Sequence, residues 1–469
     1  MPRFRPLPVL VALLLPLALA PARAPAQAAK AAPARVLGTT SDEARSRFTA
    51  GLDDACNGFD ARAAERLEEA LAADPKYGLA RALHAVVAPG LTAEQRAAEL
   101  DRAVAEAAAG PPVEVLEVLA WRSDDSAERR ALYRSLTELA PAEPRFALAL
   151  AALETEPDAL VQALKAVAQR FADFAPARNR LAYALRDAGD RDAAMHEAQE
   201  YVRLAPGHPH SHASYAELLQ WSKRYDEALE HYQKSLELAP HYARAYAGIA
   251  EVRQLAGRYA EARAAWQQAI DRSPAASRWD LAVRSAGSHL LEGNRKPALA
   301  ALVEAARLAD AAANRSQAGQ AHALMAVVEG SGGDWRALDA DLEQATRIAP
   351  DDPRVTGLAA IAHAGAGHVA EARAAARFLA SAAARGSADL KSFSHVVNAI
   401  VAAAADDVPT AQTELKYRVS DDAIGKAFVA EALRRAGDRE EARALRDEIL
   451  GGPEVSFLGD VARMRVKKL

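Results

Sequence analysis

The densest group of side chains able to do chemistry is His208-Pro209-His210-Ser211-His212, with His231 and His241 close behind. Imidazoles ligate zinc and copper, yet these five residues run across a turn and into a helix start, which aims the rings in different directions. The pattern predicts no metal centre, only a solvated turn with one packing histidine. Other signatures stop short. His196-Glu197-x-x-Glu200 opens like a zinc-protease helix but lacks the second histidine at i+4. Gly425-Lys426 is followed by Ala427 where a phosphate loop needs a hydroxyl, and no Gly-x-Ser-x-Gly elbow occurs. The residues therefore point to no catalytic site, no cofactor and no metal, and attention moves to the surfaces that helices could present.

Those helices announce themselves by a repeat. Pro206, Pro240 and Pro274 fall 34 residues apart, each preceded by two helix-like segments. Small Ala216 and Ala228 allow two antiparallel helices to approach closely. Tyr225, Leu229, Tyr232 and Leu236 recur at i, i+4, i+7 and i+11 and give the second helix an apolar stripe. Asp226, Glu227, Glu261, Glu371, Glu440 and Glu441 open second helices, where the positive end of the helix dipole favours them. Pro240 ends the unit, because the residue before a proline is pushed out of α geometry.

In register the middle unit reads His212-x-x-Tyr215-Ala216-x-x-Leu219, then Ala228-x-x-x-Tyr232, then Pro240. This resembles the tetratricopeptide repeat pattern W-x2-L-G-x2-Y, A-x3-F, P. The unit before it agrees through Leu181, Ala182, Leu185, Ala194 and Ala198, and the unit after it through Ile249, Ala250, Ala262, Trp266 and Ala269. The resemblance implies an all-α fold, an α-solenoid of about twelve antiparallel helix pairs wound as a right-handed superhelix, acting as a binding scaffold. In that family the first helices of successive repeats line a concave groove that takes peptides or partner helices. Carried over residue by residue, the groove positions are Asn179, Tyr183, Arg186 and Asp187, then His210, Glu217, Gln220 and Trp221, then Arg244, Glu251 and Gln254. Tyr183 and Glu217 stand where the family's carboxylate clamp has asparagine or other amide and basic groups, so recognition of a C-terminal carboxylate is not implied. The 200° turn between Leu219 and Trp221 on a helix aims Trp221 into the groove; the alternative is that it folds over the helix end and packs on Tyr225 of its own hairpin.

The 469 residues are 51% hydrophobic but only 6% aromatic, so the core is built largely of alanine. A single globular core stops growing at about 250–300 residues, whereas stacked repeats lengthen freely, which favours one long solenoid. A formal charge of −5 with dispersed basic residues leaves no electrostatic footprint for nucleic acid. Residues 1–26 combine Arg3 and Arg5 with an apolar run from Leu7 to Ala20 and small-residue motifs, the layout of a secretory signal peptide cleaved after Ala26 or Ala28. That run falls short of the roughly 20 residues needed to span a bilayer, and no other stretch of the mature chain is apolar and long enough. Cys56 is the only cysteine, so no intramolecular disulfide forms.

Residues 27–42 are expected to be a linker, 43–174 degenerate repeats, 175–276 three regular repeats, 277–450 further repeats and 451–469 a capping helix with a basic end. The whole layout resembles exported bacterial proteins of the tetratricopeptide family. The expected function is a periplasmic or secreted protein–protein scaffold holding a polypeptide partner in its groove. The alternatives are a hydrolase or metal-binding enzyme with an unrecognised site and a structural spacer in an envelope assembly.

Overall fold

The computed structural model describes residues 38–417, 423–453, 455–467 and 469; the expected signal peptide lies outside them. Among the described residues the chain is all helix and loop, without strands. The N-terminal helices are α1 (Asp42–Cys56), α2 (Asp60–Ala73), α3 (Gly78–Val87), α4 (Ala93–Ala107), α5 (Pro112–Arg122), α6 (Ser126–Leu139), α7 (Pro144–Ala151) and α8 (Pro157–Arg170). The central ones are α9 (Ala175–Asp187), α10 (Arg191–Leu204), α11 (Pro209–Trp221), α12 (Tyr225–Leu238), α13 (Ala243–Leu255) and α14 (Tyr259–Arg272). There follow α15 (Ala275–Leu291), α16 (Arg295–Ala311), α17 (Arg315–Gly332), α18 (Trp335–Ile348), α19 (Pro353–Gly365) and α20 (Val369–Ala383). The last are α21 (Ala388–Ala404), α22 (Val408–Leu415), α23 (Ala423–Ala436), α24 (Arg439–Gly451) and α25 (Phe457–Val466). The first twenty-four form twelve successive hairpins, the solenoid that the repeat implied.

Local sequence explains the hairpins. Gly189 and Gly257 end their first helices in the left-handed region, at φ of 81° and 74°, a conformation glycine adopts without penalty. Lys223 takes the same place in the repeat between them at φ 61°, so the turn geometry is kept even where glycine is missing. Ala216, Ala228, Ala250 and Ala262 are wholly buried at the helix crossings, around the fully buried Tyr232 and Trp266.

Odd-numbered helices touch their next-but-one neighbours, α9 with α11, α11 with α13, α17 with α19, α19 with α21 and α21 with α23, and even-numbered helices make no comparable contacts. The odd helices therefore form the inner, concave wall. α13 and Tyr232 fit so closely that a Cβ on Gly248 would lie 2.1 Å from Cζ of the ring. Alanine in place of glycine gains about 1 kcal/mol of helix propensity, but overpacking a rigid ring costs about 1–3 kcal/mol. Gly248→Ala is therefore expected to lower the thermal midpoint; a midpoint that rises would show that α13 stands further from α12.

Both ends of the chain return to the concave side of the central repeats. At the N-terminal end, the α1–α2 turn docks on α10, α11 and the start of α13: the Tyr201 hydroxyl donates to the Asn57 carbonyl at 3.3 Å, and Phe59 meets Tyr242 edge-on at 5.1 Å. At the other end, α25 packs against α15 and α23 as well as α24. It runs along the inner wall instead of covering only the last hairpin.

Candidate functional site

The faces of α9, α11, α13 and α15 enclose a cavity of about 1420 Å³, with Pro453, Val455 and Ser456 of the C-terminal segment forming part of its rim. Its floor is made of small residues, Ala243, Ala247 and Gly248, so the helix backbones lie close to whatever enters. Trp221, Leu281 and Pro157 supply apolar walls. Arg191 lies over the Trp221 ring at 5.1 Å, which holds the half-buried indole against the wall.

The charged side chains form a ladder across the repeats. Glu217 on α11 accepts two hydrogen bonds from Arg244 on α13, at 2.6 and 2.8 Å, and one from the Tyr183 hydroxyl of α9 at 2.5 Å. Glu251, 34 residues after Glu217, accepts from Arg284 of α15 at 2.8 Å and from the Gln220 amide at 3.0 Å. Asp280 also binds Arg284, at 2.9 Å. Arg186 pairs with Asp187 at the rim at 2.7 Å. The lining thus carries three arginines against four carboxylates, each arginine paired within its own ladder step, which leaves a formal charge of only −1.

The two equivalent carboxylates titrate differently. Burial works to raise the pKa of Glu217, but the Arg244 guanidinium and the Tyr183 hydroxyl hold it below the ordinary range. For Glu251 burial outweighs Arg284 and Gln220, so its pKa is raised. Burial also pushes the Tyr183 phenol up, and the neighbouring Glu217 adds to it. Arg244 keeps 44% of its side chain accessible and Arg284 35%, so both present guanidinium surface in the cavity lining.

Of the groove positions carried over from the sequence, Arg186, Asp187, Glu217, Gln220, Trp221, Arg244 and Glu251 line this cavity. Tyr183 stands behind them, bonded to Glu217. Asn179 is half-buried away from the lining. His210 and Gln254 are buried and committed elsewhere. Nε2 of His210 accepts from Arg244 at 3.2 Å and its Nδ1 lies 3.2 Å from the Tyr201 hydroxyl, under Gly58. Burial, aided by Arg244, drives its pKa down to about 3. The Gln254 amide is taken by Asp460 at 2.7 Å.

The histidine-rich turn is not solvated. His208, His210 and His212 are all buried, because the α1–α2 turn covers the first two and α12 covers the third. As the turn geometry implied, their rings diverge: His208 lies 3.3 Å from Asp54, His210 faces Arg244, and His212 Nδ1 lies 3.1 Å from His231 Nδ1. Asp53, Asp54 and His208 bring possible ligand atoms within 4.8 Å of one another. Arg62, at 2.9 Å, and Arg66, at 2.8 Å, already bind the Asp54 carboxylate, supplying the positive charge that a metal would bring. The cluster pins the first hairpin to the central repeats.

Sequence reasoning missed the α15 wall, Ser277, Asp280, Leu281 and Arg284, and the rim of Pro453, Val455 and Ser456. The first had a signal: carrying the 34-residue register past Pro274 sends Ala243 to Ser277 and Ala247 to Leu281. The second had none, since nothing local places Val455 beside residues two hundred positions earlier.

A profile described as Tetratricopeptide repeat matches residues 210–275. No curated protein matches the chain. Among solved structures, the crystal structure of MamA is similar at 18% identity over 34% of this chain and 94% of that one, with a TM-score of 0.30. The APC/C hetero-tetramer Cut9–Hcn1 is similar at 15% identity over 88% of this chain and 77% of that one, with a TM-score of 0.42.

Proposed function

From the premise that residues 210–275 are tetratricopeptide repeats within an α-solenoid, we propose that the protein is an exported scaffold that holds a polypeptide segment in the cavity of the central repeats. The observation that carries this reading is the cavity itself: about 1420 Å³, floored by alanine and glycine and walled by Trp221. Pockets of roughly 300–1,000 Å³ suit small molecules, and this one is larger. Its self-neutralised ion pairs favour a ligand bound by shape, aromatic contact and scattered hydrogen bonds, as a peptide is, over one bound by a single charge. Among the described residues no helix is long and apolar enough to cross a membrane.

A photo-reactive amino acid at Ala247, on the cavity floor, is expected to cross-link a polypeptide in native cells, and one at Phe378, exposed on α20, is not. Adducts of equal yield at both positions would rule the cavity out as the binding site. The export half of the proposal rests on the N-terminal residues: the mature chain from native cells is expected to begin at Gln27 or Ala29 by intact-mass measurement. Met1 retained on the envelope fraction would remove it.

A further inference from the structure

The C-terminal helix α25 occupies the concave wall as a ligand would. On α11, the Gln220 side chain receives the Tyr232 hydroxyl on its oxygen at 3.4 Å and gives its amide to the Glu251 carboxylate. One repeat on, Gln254 receives the Trp266 indole N–H on its oxygen at 3.2 Å and gives its amide to Asp460. The residue one period beyond Glu251 is Ser285, so α15 offers no carboxylate at this step, and α25 supplies it. Gly287 clears the space, since a Cβ there would lie 2.0 Å from the Asp460 carboxylate oxygen.

The rest of α25 seats as an amphipathic helix. Phe457, Val461, Ala462 and Val466 are buried in the core of the C-terminal hairpins. Arg463 meets Asp460 at 3.1 Å, Arg465 forms a two-pronged pair with Glu431, and the Lys467 ammonium donates to the Leu291 carbonyl that ends α15. Yet α25 does not fill the inner wall. A second cavity of about 740 Å³, lined by Trp279, Gln320 and Phe393, opens at the start of α25, and Ser456 and Asp280 border both cavities. The five residues 452–456 that join α24 to α25 make a short tether.

We propose, resting on the polypeptide-binding reading above, that the concave wall of α13 to α23 is a helix-receiving groove whose partner is an amphipathic helix carrying a carboxylate three residues before an arginine, and that α25 is the tethered copy that this partner displaces. Displacement joins the two cavities into one continuous groove. The tether raises the effective concentration of α25 into the millimolar range, so a partner must bind the groove well enough to overcome it.

Two measurements on the full chain test this. In hydrogen exchange on the unaltered protein, amides of 457–466 are expected to exchange at least 10-fold faster than those of α15 and α23, because α25 opens by itself. At pH 5, below the titration of the buried Asp460 carboxyl, a fluorescent peptide of residues 453–469 is expected to bind the D460A chain at least 10-fold more tightly than the wild-type chain, whose own helix competes. The same peptide carrying Asp460→Ala is expected to lose at least 10-fold in affinity. Exchange of α25 at the rate of α15 and α23, no peptide binding by either chain, or binding indifferent to the carboxylate would each overturn the proposal. Such a result beside a positive cross-link at Ala247 would leave the cavity reading standing, and peptide exchange without that cross-link would move the partner to the C-terminal half of the wall.

Discussion

Asp460→Asn is expected to stabilise the protein at pH 8 by about 2–4 kcal/mol and to leave it nearly unchanged at pH 4. The Asp460 carboxyl is wholly buried between α25, α13 and α15. Burial pushes its pKa up to about 7, more than Arg463 and the Gln254 amide lower it, and Glu251 adds repulsion. An aspartate titrates near 3.9 when exposed, so the native state holds the proton more tightly than the unfolded or undocked state does. The favourable contribution is complete below about pH 4, declines as pH rises from about 4 to 7, and is gone above the native pKa. A tenfold difference in proton affinity between the two states corresponds to about 1.4 kcal/mol, which sets the upper end of the expected gain. Asparagine keeps an oxygen to accept from Gln254 and carries no charge to desolvate. Urea unfolding of both proteins across this pH range is the check; a difference that stays flat from pH 5 to 8 would show Asp460 ionised throughout and stabilised by Arg463.

Trp266→Ala is expected to cost about 3–5 kcal/mol, the range for deleting a large buried aromatic. The ring is fully buried on α14 between α13 and its neighbours, and its N–H orients the amide of Gln254. The companion Trp266→Phe separates the two roles. It restores most of the packed volume but leaves the Gln254 oxygen without its donor, so the amide is no longer held toward Asp460. Stability is expected to recover to within about 1–2 kcal/mol of wild type, while the exchange of α25 amides stays faster than in wild type. Full recovery of α25 protection in Trp266→Phe would show that the indole N–H plays no part in seating the helix.

The hairpins were legible because local signals agree: the 34-residue prolines, the alanines at crossings and the acidic starts of second helices all specify the same unit, and the chain folds into twelve of them. Trp221, Glu217 and Arg244 were legible as cavity residues for the same reason, since register alone fixes which side of a helix faces the concave wall. Gln254 and His210 show where register stops. Both occupy groove positions in sequence, and both are covered by segments brought in from the chain ends, α25 over Gln254 and the α1–α2 turn over His210. Such contacts span 206 residues for Gln254 to Asp460 and 144 for Tyr201 to Asn57. They depend on the accumulated curvature of the solenoid, which no local pattern encodes. Buried His208 and His210 follow from the same closure: a turn that would be wet in an open solenoid is roofed by the first hairpin.

The central claim, that the cavity of α9 to α15 binds a polypeptide, is tested most directly by calorimetry with a peptide selected from a displayed library against the mature chain. Ala276 lies exposed on the cavity wall, so Ala276→Trp fills the space without entering the core. The selected peptide is expected to bind wild type with one site per chain and to lose at least about 2 kcal/mol, some 30-fold, on the Ala276→Trp chain, with its thermal midpoint unchanged. Equal affinity for the two chains would place the peptide elsewhere on the molecule and contradict the claim.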